Sequence, residues 1–179
     1  GSDIHMVAGE YDPGLLAWAA DPAAANHDGP VVGLGRPTHA VPDRNDLPGL
    51  DTYVRFVDTD GERTVAAVEA SHGCAHRCRH CPVPVVYDGR TRAVAADTVL
   101  ADIAQQVDRG ARHVTFGDPD FLNRPHHAVE IVREMSRRFS DVPGGPLTFD
   151  ATVKVEHILR HRDVWGEMAA SGCRFVVSA

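Results

Sequence analysis

Three of the chain's four cysteines, Cys74, Cys78 and Cys81, stand in one eight-residue run, and that run limits what the surrounding fold can be. An odd trio cannot be consumed in disulfides with itself, and no apolar signal segment precedes it, so metal or redox chemistry is expected in place of a disulfide framework. The residues between the thiols, Ala75-His76-Arg77 and Arg79-His80, suit a polar loop and not a packed core. Three readings of such a loop are open. A 4Fe-4S cubane held by three thiolates keeps one iron without a protein ligand, as catalysis at the cluster requires. Zinc prefers four tetrahedral ligands and could recruit His72, His76, His80 or Cys173, although structural zinc usually has a second ligand pair downstream, and none is present. Three unliganded thiols fit the charged loop least well. The pattern therefore favours a cluster with an open iron, with a zinc-stabilised, non-catalytic binding module as the alternative.

The segments around the loop indicate where it sits. Gly1 to Met6 (GSDIHM) reads as a vector-derived leader. Residues 7–50 are rich in Pro, Gly, Ala and Asp and read as an irregular lead-in or linker, or the remnant of an upstream domain, with a short helix from Pro13 to Ala20 and an apolar run at Val31-Val32-Gly33-Leu34. Thr52–Val57 and Thr64–Val68 read as strands of a hairpin with Gly61 at the turn. After the cysteine loop, helices alternate with short apolar strands. Asp97 or Thr98 is placed to cap a helix with Val99, Leu100, Ile103 and Val107 on one face; His113–Phe116 is a strand; Asn123 and Pro125 open a helix with Val129, Val132, Met135 and Phe139 inward. Leu147–Thr152 and Arg174–Ser178 are further strands, with helical pieces at Val155–Arg160 and Val164–Ala170. This order predicts an α/β fold of about four parallel βα units, close to half of a (β/α) barrel, over residues 51–179. An open sheet edge is then available for pairing with a second copy.

The formal net charge of −7 opposes broad binding to a nucleic-acid backbone, and Arg133, Arg137 and Arg138 read as a solvated helix face. No run approaches eighteen apolar residues, so a cytoplasmic, membrane-free protein is expected. Cys173 reads as a small buried hydrophobe, and His126, His127, His157 and His161 as surface or capping residues.

The CX3CX2C spacing of Cys74, Cys78 and Cys81, directly after a strand that opens a βα series, resembles the radical SAM superfamily from about Thr64 onward. The resemblance implies a partial radical SAM barrel whose 4Fe-4S cluster binds S-adenosylmethionine at its open iron and cleaves it reductively to a 5′-deoxyadenosyl radical. It implies an electron donor such as flavodoxin or ferredoxin and a small-molecule or peptide substrate. Residue by residue, it places His80 where family members have an aromatic group near the adenine. Gly117-Asp118-Pro119-Asp120 falls where many have a Gly-Gly-Glu-like segment, with Asp118 or Asp120 facing the methionine amino group. Thr152, Lys154 and Ser178 fall where ribose or carboxylate contacts are made. The lead-in, with Gly9-Glu10 and Arg44–Leu50 (RNDLPGL), loosely resembles the linker that joins a cobalamin-binding-type domain to the radical core. The Asp-X-His-X-X-Gly cobalamin signature does not occur in this chain, nor do the three further cysteines of a methylthiotransferase.

Overall fold

A computed structural model describes residues 6–21 and 31–178; the leader read at residues 1–6 falls almost wholly outside them. In chain order the strands and helices are β1 (Val7–Gly9), α1 (Asp12–Ala20), β2 (Val31–Gly33), β3 (Arg55–Asp58), β4 (Gly61–Val68) and β5 (Ser71–Gly73). They continue with α2 (Val83–Tyr87), β6 (Thr91–Ala93), α3 (Ala96–Asp108), β7 (His113–Phe116), α4 (Pro125–Arg138), β8 (Thr148–Thr152), α5 (Val155–Arg160), α6 (Trp165–Ala170) and β9 (Cys173–Val177).

The chain divides into two compact units: the stretch up to Thr38 with His72–Arg92, and His39–Ser71 with the stretch from Ala93 onward. In the first, β1 and β2 pair in parallel, Val7 opposite Val31 and Gly9 opposite Gly33. Gly9 has φ +75°, and a side chain there would run into the Gly33 carbonyl, so the close approach of these strands requires glycine. Strand β1 escaped the sequence reading because three residues are too short for an alternation to register. Helix α2, also unanticipated, is only five residues long and starts at Pro82-Val83-Pro84, where proline supplies the right φ.

In the second unit a five-stranded sheet has the order β3-β4-β7-β8-β9. Strand β3 is antiparallel to β4 through the hairpin at Gly61, and β4, β7, β8 and β9 are parallel, in the register Val68↔Phe116↔Ala151↔Val176. This is the expected partial barrel of four parallel strands. Alternation along the strands sends Ala66, Val68, Val114, Phe116, Phe149 and Ala151 toward the helices, where they meet Val99, Leu100, Ile103, Ile131, Val132 and Met135 in one core. Phe116 stacks on Phe121 at 4.4 Å and meets the edge of Phe149 at 5.7 Å.

Two details depart from the sequence reading. Helix α3 begins at Ala96 with Ala95 at its N-cap and no side-chain cap from Asp97 or Thr98. Helix α4 buries Ala128, Ile131, Val132 and Met135, so Val129 and Phe139 lie at the margin of the stripe. Residues 39–50 pack in the second unit: Arg44 forms a two-pronged ion pair with Asp102 (2.7 and 3.0 Å), and Arg109 donates to the carbonyls of Leu47 and Pro48. Helix α3 and its C-cap residue thus hold a segment that contains no strand or α-helix of its own.

Candidate metal centre

The cysteine loop lies in the first unit between β5 and α2. Gly73, immediately before Cys74, has φ +75°, and a Cβ there would overlap the Arg90 carbonyl and approach the Tyr87 ring within 2.8 Å. Only glycine turns the chain tightly enough here to bring three thiols onto one loop. The Cys81 N–H donates to the Cys78 carbonyl (3.2 Å), closing a turn that brings these two residues to the same part of the loop. On its far side the loop is braced by Arg77 paired with Asp88 (3.2 Å), by the Tyr87 hydroxyl donating to the Gly9 carbonyl (3.0 Å), and by His72 against the buried Glu10 (3.1 Å). Arg92 donates to the carbonyls of Leu34 and Gly35. The strands ahead of the loop are therefore part of its support.

Cys74 is buried, Cys78 and Cys81 are half-buried, and none of the three is in a disulfide. They suit an iron–sulfur cluster in ligand type, redox state and placement on one short loop. They suit zinc less well. Tetrahedral zinc at about 2.3 Å would draw its sulfurs to about 3.8 Å from one another, yet among the described residues no cysteine belongs to a trio of ligand atoms lying within 4.8 Å. His80 is exposed on the same loop.

The remaining residues that the resemblance singled out are in the second unit, at the carboxyl ends of β7, β8 and β9. Asp118 is 2% exposed; its Oδ2 accepts from the Ala70 N–H (2.9 Å) and its Oδ1 from the Ser71 hydroxyl (2.6 Å). Burial raises its pKa above the usual carboxylate range against the pull of those hydrogen bonds. Asp120, equally buried, accepts from the Leu122 N–H (3.1 Å) and lies 2.9 Å from His157 Nδ1. Gly117 donates its N–H to Val68 (2.8 Å), extending the β4–β7 ladder by one rung. Thr152 is half-buried at the end of β8, Lys154 pairs with Glu156 (3.1 Å), and Ser178 is exposed just beyond β9.

Two features were missed in the sequence. His157 is 6% exposed and paired with an acid, not a surface residue; its partner comes from another strand end, so no spacing on its own helix signals it. On the sheet face opposite the core, His113 joins Asp150 through Nε2 (2.8 Å) and Thr148 through Nδ1 (2.7 Å), while the Thr115 hydroxyl donates to Asp150 (2.7 Å). Phe56 from the hairpin stacks on His113 at 4.2 Å. The signal was there: Asp150 alternates with the apolar Phe149 and Ala151, and His113 with Val114. Of the other minor readings, Cys173 is half-buried with a thiol pushed up to about 11 by burial first and by Asp150 second. Arg133 and Arg137 pair with Glu167 and Glu134 on the helix surface, as a solvated face should.

A parallel βα sheet of this order, fed by a three-cysteine loop that follows its first parallel strand in the chain, defines a half-barrel class of metalloprotein. The chain belongs to the radical SAM superfamily of enzymes, whose family model matches residues 68–177. The fold is similar to that of the radical S-adenosylmethionine methyltransferase TsrM from Kitasatospora setae. With cobalamin and a 4Fe-4S cluster bound, that protein matches at TM-score 0.52 and 23% identity over 65% of this chain and 21% of its own. With tryptophan substrate and the analogue aza-SAM bound, it matches at TM-score 0.52 and 24% identity over 64% and 21%. This chain thus spans about a fifth of the length of TsrM. No curated protein matches it significantly. Among the described residues no helix is long and apolar enough to cross a membrane.

Proposed function

We propose that the chain is the cluster-bearing part of a radical SAM enzyme that acts on a small molecule or peptide, with Cys74, Cys78 and Cys81 as the cluster ligands. The observation that carries this reading is the loop itself: three cysteines outside any disulfide on one glycine-shaped turn, within the segment matched by the family. When bound, the cluster supplies one electron to the sulfonium of S-adenosylmethionine, releasing methionine and a 5′-deoxyadenosyl radical. The protein's own part is to hold three thiolates and leave the fourth iron open. His80, exposed beside Cys81, is available to stack on the adenine. Thr152, Lys154 and Ser178 follow two adjacent parallel strands and offer hydroxyl and ammonium donors to ribose and carboxylate oxygens.

Asp118 or Asp120, with the backbone carbonyls around Gly117 beside them, supplies the acceptors for the methionine amino group; each carboxylate oxygen keeps a lone pair beyond its contact with Ala70, Ser71, Leu122 or His157. The small-molecule substrate class follows the likeness to TsrM, whose structure holds tryptophan. The electron enters from a flavodoxin or ferredoxin. The domain reading that accompanies this proposal takes 51–179 as the first half of the radical SAM barrel and 7–50 as the segment leading into it.

The test is turnover. After anaerobic reconstitution with iron and sulfide, the chain with dithionite and S-adenosylmethionine should form 5′-deoxyadenosine, and Cys78→Ala should abolish it. A fully iron-loaded chain that forms none would refute the proposal.

A further inference from the structure

The chain passes from one compact unit to the other at Ser71–His72 and returns at Arg92–Ala93. Both crossings are fastened at Ala70. Its carbonyl accepts from the Val94 N–H (2.9 Å), and its own N–H donates to Asp118 Oδ2 (2.9 Å). The next residue, Ser71, donates its hydroxyl to Asp118 Oδ1 at 2.6 Å, the short separation of a charge-assisted bond. Ala70, Ser71 and Asp118 are 2, 3 and 2% exposed. The ladder between β4 and β7 has already ended at this point, its last rung being Gly117 N–H to Val68. Beyond that rung the Ala70 N–H has no strand partner, and Asp118 takes the place of one.

We propose that Asp118 is a positioning residue for the cluster loop: its buried carboxylate clamps two consecutive donors at the loop's root, three residues before Cys74. The proposal rests on the reading of that loop as the cluster site. Two oxygens gripping a backbone N–H and the adjacent hydroxyl fix both the chain direction and the Ser71 rotamer, which a single bond would leave free to swing. Removing the carboxylate would orphan two buried donors, and the root would open to find water for them. An asparagine is different. Its amide oxygen can still accept from the Ala70 N–H, while its NH2 group donates to the Ser71 oxygen, so the clamp survives with the charge gone.

Hydrogen exchange on the apo form of the 179-residue chain tests this without the cluster. In Asp118→Ala the amides of residues 70–74 should exchange roughly tenfold faster or more, while those of β7 and β8 stay within about threefold of the unsubstituted chain. Asp118→Asn should restore slow exchange. Ser71→Ala, which keeps the Ala70 bond, should show a smaller rise at the same residues and carries the test if Asp118→Ala does not fold. Reconstituted anaerobically, Asp118→Ala should take up less than about half the iron of Asp118→Asn. Unchanged exchange at residues 70–74 would overturn the proposal. So would a uniform rise across β7 and β8, which marks mere support of the fold, or an Asp118→Asn variant as fast as Asp118→Ala. Failure of the cluster reading looks different: the unsubstituted chain would bind no iron while the exchange pattern stood.

Discussion

Replacing Gly73 by alanine puts the strain where the chemistry is expected. The residue sits at φ +75°, where an L side chain costs about 1–2 kcal/mol. The added methyl would also meet the Tyr87 ring at 2.8 Å and the Arg90 carbonyl closer still. Neither neighbour is a flexible chain end, since the Tyr87 hydroxyl is itself tied to Gly9. Relieving such overpacking typically costs about 1–3 kcal/mol more. The sum, about 2–5 kcal/mol, is borne by the turn that gathers the thiols, and expressed as metal affinity it is roughly thirty-fold to several-thousand-fold. Iron bound after anaerobic reconstitution over a range of iron concentrations reads this directly. The control is Gly144→Ala: that glycine also has positive φ (+93°) but open space around it, so the substitution should cost only the backbone part and leave iron uptake unchanged. If Gly73→Ala loads iron at the same concentrations as the unsubstituted chain, the argument that glycine shapes the loop is wrong.

Other consequences can be measured separately. Cys173, with its thiol pushed from 9.0 up to about 11, should carry roughly a hundredfold less thiolate near pH 8 than an ordinary cysteine; alkylation with iodoacetamide followed by mass spectrometry should label it after the half-buried Cys78 and Cys81, and labelling as prompt as theirs would refute the raised pKa. His113→Ala strips Asp150 of its imidazole and Phe56 of its stacking partner, and should destabilise the fold by about 3–5 kcal/mol in urea titration; a loss under about 1 kcal/mol would show that the network is dispensable. Asp118 has a raised folded pKa, so its contribution to stability is fully present below the ordinary carboxylate pKa of 3.8 and is lost as pH rises through the folded value. Asp118→Asn should remove that part of the pH dependence, and identical stability profiles for the two proteins would contradict the assignment.

The sheet and its helices were legible because each strand of the second unit is a short apolar run bounded by a turn, and each long helix keeps its stripe. His113–Phe116 was read to the residue, and the hairpin at Gly61 was placed by its turn. What stayed hidden depends on residues distant in sequence. Nothing local shows that Ala70 and Ser71, far upstream, donate to the two oxygens of Asp118. His157 looked like a surface residue because Asp120 reaches it from a different strand end. What segment 39–50 packs against stayed hidden because its anchors, Asp102 on α3 and Arg109 at the C-cap of that helix, come after it in the chain. The three cysteines were legible for the opposite reason: the chemistry needs them on one loop, and a loop keeps its spacing in the sequence.

Metal analysis of the anaerobically purified chain is the most direct test of the cluster assignment. The chain should hold roughly four iron and four sulfide and no stoichiometric zinc, with the iron lost when any of Cys74, Cys78 or Cys81 is replaced by alanine. One zinc per chain and no iron would contradict it.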